Sequence, residues 1–171
     1  ALNIASIVFM LPLAIGLAAS TRVGNLLGEK RYIDARYSSK VSLSLCFIGA
    51  LFNMTLLITL GDKLISLYTK DLLVYSVASH LIIFAAIFQI PDGIGMGSLG
   101  ALRGYKDTFM TMVFIIIAYW VFAIPFGYYL TYYGINQPMG ESGMWISMIL
   151  GLTIFASLIS RRLIKISGQY L

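Results

Sequence analysis

Apolar residues along the chain form five long runs separated by short charged stretches. The runs cover residues 1–21, 41–61, 72–102, 108–136 and 142–160. About 20 apolar residues in a helix cross the hydrocarbon core of a bilayer, so each run is long enough to span it. No run alternates apolar and polar residues as a membrane β-strand does. The pattern predicts an all-α membrane protein with five transmembrane helices, over about 1–26, 41–61, 76–102, 108–133 and 143–162. We expect a short surface helix or an ordered loop over residues 62–77.

Composition supports a membrane protein and excludes other classes. Of the 171 residues, 59% are hydrophobic and 11% are charged, whereas a soluble domain carries about 25% charged residues. The mean hydropathy is +0.88. A soluble enzyme, a nucleic-acid-binding domain and a disordered chain are all excluded by these values. Cys46 is the single cysteine, so no disulfide can form within the chain.

Basic residues predict the orientation of the helices. Ten of the twelve lie in residues 22–40, 103–106 and 161–165, and only Lys63 and Lys70 lie in the opposite connections. Cytoplasmic connections are enriched in Lys and Arg. We therefore expect a multi-pass protein of the inner (cytoplasmic) cell membrane, with its N-terminal end outside and its C-terminus in the cytoplasm. This distribution accounts for the net charge of +5 without a nucleic-acid partner. Because the chain opens at Ala1 on an apolar run, we expect it to be part of a longer protein.

Asp92 is the residue that we expect to carry the function of this chain. It lies about two thirds of the way along the third run, where an acid costs about 3 kcal/mol near the centre of a membrane helix. Gln89 is three residues earlier on the same side of the predicted helix, and Phe88 is four residues earlier. We expect a cation site for a proton or sodium at Asp92, with help from Gln89. The alternative is a structural aspartate that packs against a neighbouring helix.

Proline and glycine residues predict bending near that acid. Pro91 removes one helical hydrogen bond directly before Asp92, and Gly93 and Gly97 allow close approach of another backbone. Many transporters build midplane sites from broken helices. We therefore expect hinge or packing roles for Pro91, Gly93 and Gly97, and for Pro12 in the first run.

No set of residues indicates catalysis. The chain lacks a Ser/His/Asp or Cys/His set and has no pair of acids within one predicted span. We therefore expect a protein that is not an enzyme and has no cofactor beyond a coupling ion.

Two stretches resemble signatures of the MATE (multidrug and toxic compound extrusion) family, in its NorM-like bacterial branch. They are Phe-Met-Leu-Pro-Leu at 9–13, continuing to Arg-Val-Gly-Asn at 22–25 and Gly28, and Leu-Arg-Gly-Tyr-Lys-Asp-Thr at 102–108. The five predicted spans resemble helices 8 to 12 of a twelve-helix transporter. The resemblance implies that residues 1–171 are a partial C-terminal lobe, whose partners are the N-terminal lobe and the seventh helix.

The resemblance also implies a function. Such transporters are cation-coupled antiporters that exchange protons or sodium ions for amphipathic, often cationic drugs. Asp92 matches the acid of the tenth helix that serves in cation coupling and drug binding, with Phe88 beside it, at a position where some sodium-coupled relatives have a tyrosine. Asp71 matches an outer acid that contacts cationic substrates in some members.

Three other hypotheses stay open. A lipid-linked sugar flippase of the same superfamily is one, and a channel or a structural membrane subunit that does not transport is the second. A membrane-embedded enzyme is the third. Efflux that depends on an ion gradient distinguishes the exporter from all of them.

Overall fold

Helices make up the architecture of this chain. The computed structural model describes the backbone of residues 2–68, 71–134 and 137–169, and the side chains in these ranges except those of 2–5, 8, 67, 68, 72 and 73. No strand occurs within those ranges. The elements are α1 (Leu2–Gly28), α2 (Tyr32–Tyr68), α3 (Leu72–Gly104), α4 (Thr108–Ile115), a π-helical segment (Ile116–Ala123), α5 (Ile124–Tyr132) and α6 (Glu141–Gln169).

Five helices are long and apolar enough to cross a membrane, which confirms the predicted fold class. In this count α4, the π-helical segment and α5 form one continuous rod over Thr108–Tyr132. The π-helical segment had no counterpart in the prediction.

α1, α2, α3 and α6 all extend beyond the predicted spans, and α2 does so by the most residues. α2 has 37 residues and is therefore roughly 55 Å long, whereas the hydrocarbon core is about 30 Å thick. The expected surface helix or loop over residues 62–77 is wrong, because residues 62–68 belong to α2 and residues 72–77 belong to α3. Charged residues indicate where a helix leaves the lipid, but its backbone hydrogen bonds continue past that point.

α3 occupies the centre of the bundle. It packs against α1, α2 and α6, and the contact with α2 is the most extensive. The rod formed by α4, the π-helical segment and α5 packs mainly on α6. α3 therefore has neighbouring helices on several sides, while residues such as Ile83 and Ile87 stay exposed.

Glycines bring the backbones of α2 and α3 together. A Cβ atom added at Gly93 would lie 2.6 Å from the Ala50 Cβ and 2.7 Å from the Cys46 carbonyl oxygen. A Cβ at Gly97 would lie 3.0 Å from the Leu43 Cα. Neither position has room for a side chain, so this contact depends on glycine.

The three basic stretches meet at one end of the bundle. The turn between α3 and α4 carries Asp107, whose carboxylate accepts hydrogen bonds from Arg162 of α6 at 2.6 Å and 3.4 Å. At the same end, α1 approaches α3, because a Cβ added at Gly104 would lie 2.7 Å from the Val23 Cβ. The ends of α1, α3 and α6 are therefore fixed to one another here.

Candidate functional site

Asp92 lies on α3 between the sides that contact α2 and α6. The next residue, Gly93, faces α2, whereas Gly95 lies against the Phe155 ring of α6, where an added Cβ would be 3.2 Å from Cε1. The Asp92 side chain is half-buried. It forms no hydrogen bond or ion pair with any residue in the described ranges. Most buried carboxylates in proteins have such a partner, so an unpaired one is unusual.

Aromatic side chains lie beside this carboxyl group. Phe88, one helical turn before Asp92, is partly buried, and its ring meets the buried Trp145 ring edge-to-face, with centroids 6.3 Å apart. Met96, one turn after Asp92, packs on the same core as Phe88. The α3 side that carries Asp92 is thus bounded by large, polarisable side chains.

Gln89 is fully buried, and the expectation that it shares the Asp92 site stays a prediction. It lies four residues before Gly93, on the α2 side of α3, and is 1% exposed. Its amide oxygen accepts no hydrogen bond within the described part of the chain. Gln89 and Asp92 are not hydrogen-bonded to each other. Gln89 therefore lies in the interface between α2 and α3, while Asp92 lies outside it.

Asp71 is not brought to Asp92 by the fold. It immediately precedes α3 and is exposed. The two acids are 21 residues apart along the chain, which corresponds to about 30 Å of helix. They cannot bind the same small molecule.

The prolines do not interrupt their helices. α1 continues through the buried Pro12, and α3 continues through Pro91. The helix beside Asp92 is therefore unbroken, and the bending expected at Pro91 stays a prediction. Pro91 is buried and lines a groove of about 390 Å³ between α3 and α6, and packing of this kind keeps a proline-containing helix regular. Gly93 and Gly97 lie at the packing contact described above, and the hinge roles stay predictions.

Tyr119 is a neighbour of Asp92 that the sequence did not indicate. It lies in the π-helical segment, with its ring centroid 6.5 Å from that of Phe155. Its hydroxyl group lies within electrostatic range of the Asp92 carboxyl group. The hydropathy pattern of an all-apolar run does not reveal a π-helical register, so it carried no signal for the position of Tyr119.

These features define a class of protein: a multi-pass helical membrane protein with an unpaired ionisable group inside its bundle. The profile of the MatE family matches residues 1–129, which is most of the chain. The chain belongs to the MatE family.

Relatives agree with this assignment. The chain is 43% identical over 164 residues to "Multidrug resistance protein NorM" of Vibrio vulnificus, covering 95% of this chain and 36% of that protein. It is 40% identical over 171 residues to "Multidrug resistance protein MdtK" of Proteus mirabilis, covering 99% of this chain and 37% of that protein. The chain thus spans little more than a third of the length of these relatives.

A solved structure has the same fold. The crystal structure of the eukaryotic MATE transporter AtDTX14 superimposes with a TM-score of 0.85 at 23% identity, over 99% of this chain and 38% of that chain. The likeness concerns the arrangement of the helices.

Proposed function

We propose that the full-length polypeptide containing this chain is a cation-coupled multidrug exporter, and that Asp92 binds both the coupling cation and the drug. The observation that carries the proposal is the Asp92 carboxyl group, half-buried within a membrane-length helix and without a partner among the described residues. An intramembrane acid is costly and marks an ion or substrate pathway more often than a structural contact. The names of the relatives, which are multidrug resistance proteins, support the same function.

The exchange of a cation for a drug follows from the single negative charge of the Asp92 carboxylate. A proton, a sodium ion and a positively charged drug nitrogen can each neutralise Asp92, so the binding of one lowers the affinity for the others. A cation taken up from one side of the membrane then displaces a drug bound from the other side. The coupling ion and the drug compete, which is the basic requirement of an antiporter.

Neighbouring residues have supporting roles in this proposal. Phe88, with Trp145 behind it, offers an aromatic face to an amphipathic drug. Gln89 fixes α3 against α2 near the site, and its unsatisfied amide oxygen is available when the helices move. Asp71 contributes to attracting cations at the outer end of α3, about 30 Å from Asp92.

The proposal includes an orientation in the inner membrane. The three basic stretches lie at one end of the bundle, where Asp107 pairs with Arg162 and α1 approaches Gly104. Cytoplasmic ends are enriched in Lys and Arg. We place this end in the cytoplasm and the N-terminal end of α1 outside. The remaining lobe and the seventh helix, which belong to the longer protein, complete the central cavity.

Drug efflux from proteoliposomes that contain the full-length polypeptide tests the function. Asp92→Asn is compared with the unmodified protein under separately imposed sodium and proton gradients. We expect coupled efflux to be lost in Asp92→Asn while the yield of folded protein is unchanged, and the gradient that drives efflux identifies the coupling ion. Asp34→Asn is the matched control, because Asp34 is an exposed acid that pairs with Arg31.

Other outcomes would favour the competing hypotheses. Unchanged efflux in Asp92→Asn would make Asp92 a structural residue. Ion current without drug transport would indicate a channel, and transfer of a lipid-linked sugar without drug transport would indicate a flippase.

A further inference from the structure

The π-helical segment has a register set by α6. Its buried residues, Ala118 and Ala123, are five apart, and the Ile124 N–H donates to the Tyr119 carbonyl oxygen five residues earlier. On the α6 side, a Cβ added at Gly151 would lie 2.7 Å from the Ala123 Cβ, and Ser147 donates a hydrogen bond to the Ala123 carbonyl oxygen. The wide turn is therefore held by specific contacts. Turns of this kind are frequent at functional sites.

This register directs Tyr119 towards α3. Its ring packs beside Phe155, and Phe155 in turn covers Gly95, which is three residues after Asp92, on the adjoining side of α3 that faces α6. Tyr119 also packs on the core cluster that Phe88 and Met96 contact. Its hydroxyl group lies within electrostatic range of the Asp92 carboxyl group.

The groups around Asp92 suit an organic cation. Two pairs of aromatic rings lie along this part of α3: Phe88 of α3 with Trp145 of α6, and Tyr119 with Phe155, whose ring lies against Gly95. The face of an aromatic ring attracts a positively charged nitrogen that lies within about 6 Å of its centroid. A bare metal ion, by contrast, requires several oxygen ligands.

We propose that the Tyr119 ring forms the wall of the Asp92 site against which the positively charged group of an organic substrate packs, so that Tyr119 determines specificity for permanently charged substrates. The carboxylate neutralises the charge of the substrate, and the ring holds the charged group in place. This inference rests on the proposed function, because it assumes that Asp92 binds the substrate.

Equilibrium dialysis of the purified full-length polypeptide tests the proposal with two probes, tetraphenylphosphonium as the cation and triphenylphosphine oxide as the neutral probe. Tyr119→Leu removes the ring, and Tyr119→Phe removes only the hydroxyl group. We expect Tyr119→Leu to weaken tetraphenylphosphonium binding about tenfold, with binding of the neutral probe unchanged. Tyr119→Phe should bind both probes as the unmodified protein does. Tyr128→Leu is the matched control, because Tyr128 is exposed on the same rod and its ring packs at a tilt against that of Tyr132.

Three results would overturn the proposal. Equal weakening in Tyr119→Phe and Tyr119→Leu would assign the effect to the hydroxyl group. Equal loss of both probes in Tyr119→Leu would assign it to packing, and unchanged binding in Tyr119→Leu would show that the ring does not touch the substrate.

A parallel measurement on Asp92→Asn separates this inference from the proposed function. Unchanged tetraphenylphosphonium binding in Asp92→Asn contradicts the proposed function itself. Loss of binding in Asp92→Asn together with no effect of Tyr119→Leu contradicts only the role of Tyr119.

Discussion

The side of α3 that faces α2 and the side that carries Asp92 are built from opposite kinds of residue. On the first side, which we call the closed face, Gly93 and Gly97 leave no room for a side chain. On the second, the open face, Phe88, Asp92 and Met96 are bulky and only partly buried. Close backbone contact gives a rigid junction, whereas partly buried side chains can rearrange around a ligand. α3 thus has one side that is fixed against α2 and another side whose side chains can rearrange.

The largest expected effect is on the closed face. Gly93→Ala adds a methyl group 2.7 Å from the Cys46 carbonyl oxygen, a backbone atom that cannot rotate away. We expect a loss of about 1–3 kcal/mol of folding free energy, measured as a lower melting temperature of the full-length protein in detergent. Gly28→Ala is the control, since nothing lies within 4 Å of a Cβ at that position. Equal melting temperatures for the two variants would contradict the rigid junction.

A smaller effect on stability is expected on the open face. Phe88→Leu keeps an apolar side chain at a half-buried position, so we expect a cost of about 1 kcal/mol. The loss of the aromatic ring should nevertheless raise the KM for ethidium efflux. Phe52→Leu, at an exposed position on α2, controls for the loss of a phenyl ring. If Phe88→Leu destabilised the protein more than Gly93→Ala, the comparison between the two faces would be wrong.

The smallest effect is expected where α3 meets α6. The hydroxyl groups of Ser98 and Ser160 are 3.0 Å apart and share a hydrogen bond. Hydrogen bonds between membrane helices contribute about 0.6 kcal/mol on average, so Ser98→Ala should cost about that amount. A double-mutant cycle with Ser160→Ala measures the pair directly. A coupling energy as large as the cost of Gly93→Ala would place the rigid junction at α6 instead of α2.

The fold class could be predicted from the sequence because lipid imposes a simple rule. Backbone groups cannot be left unpaired in hydrocarbon, so a long apolar run forms a helix. The same rule does not determine where a helix ends outside the lipid. For this reason α2 starts at Tyr32 and continues to Tyr68, beyond both ends of the predicted span.

The candidate site was only partly predictable. Asp92 could be found because an acid in an apolar run is conspicuous at any position. Tyr119 could not, since the π-helical register depends on contacts with Gly151 and Ser147, which follow it by about 30 residues. Gln89 was expected beside Asp92 on helical spacing alone, and no feature of the sequence indicated that the close approach of α2 at Gly93 would leave it fully buried.

The two tryptophans of the chain provide a fluorescence reporter. Trp120 lies on the outer surface of the π-helical segment and is 69% exposed, whereas Trp145 is 7% exposed and contacts Phe88. Brominated lipids should quench the emission of Trp120 and leave that of Trp145 unchanged. With Trp120→Phe, the remaining tryptophan emission of this chain comes from Trp145, which contacts Phe88. The binding of a substrate could then be followed in real time by a shift in the wavelength of tryptophan emission, without an attached dye.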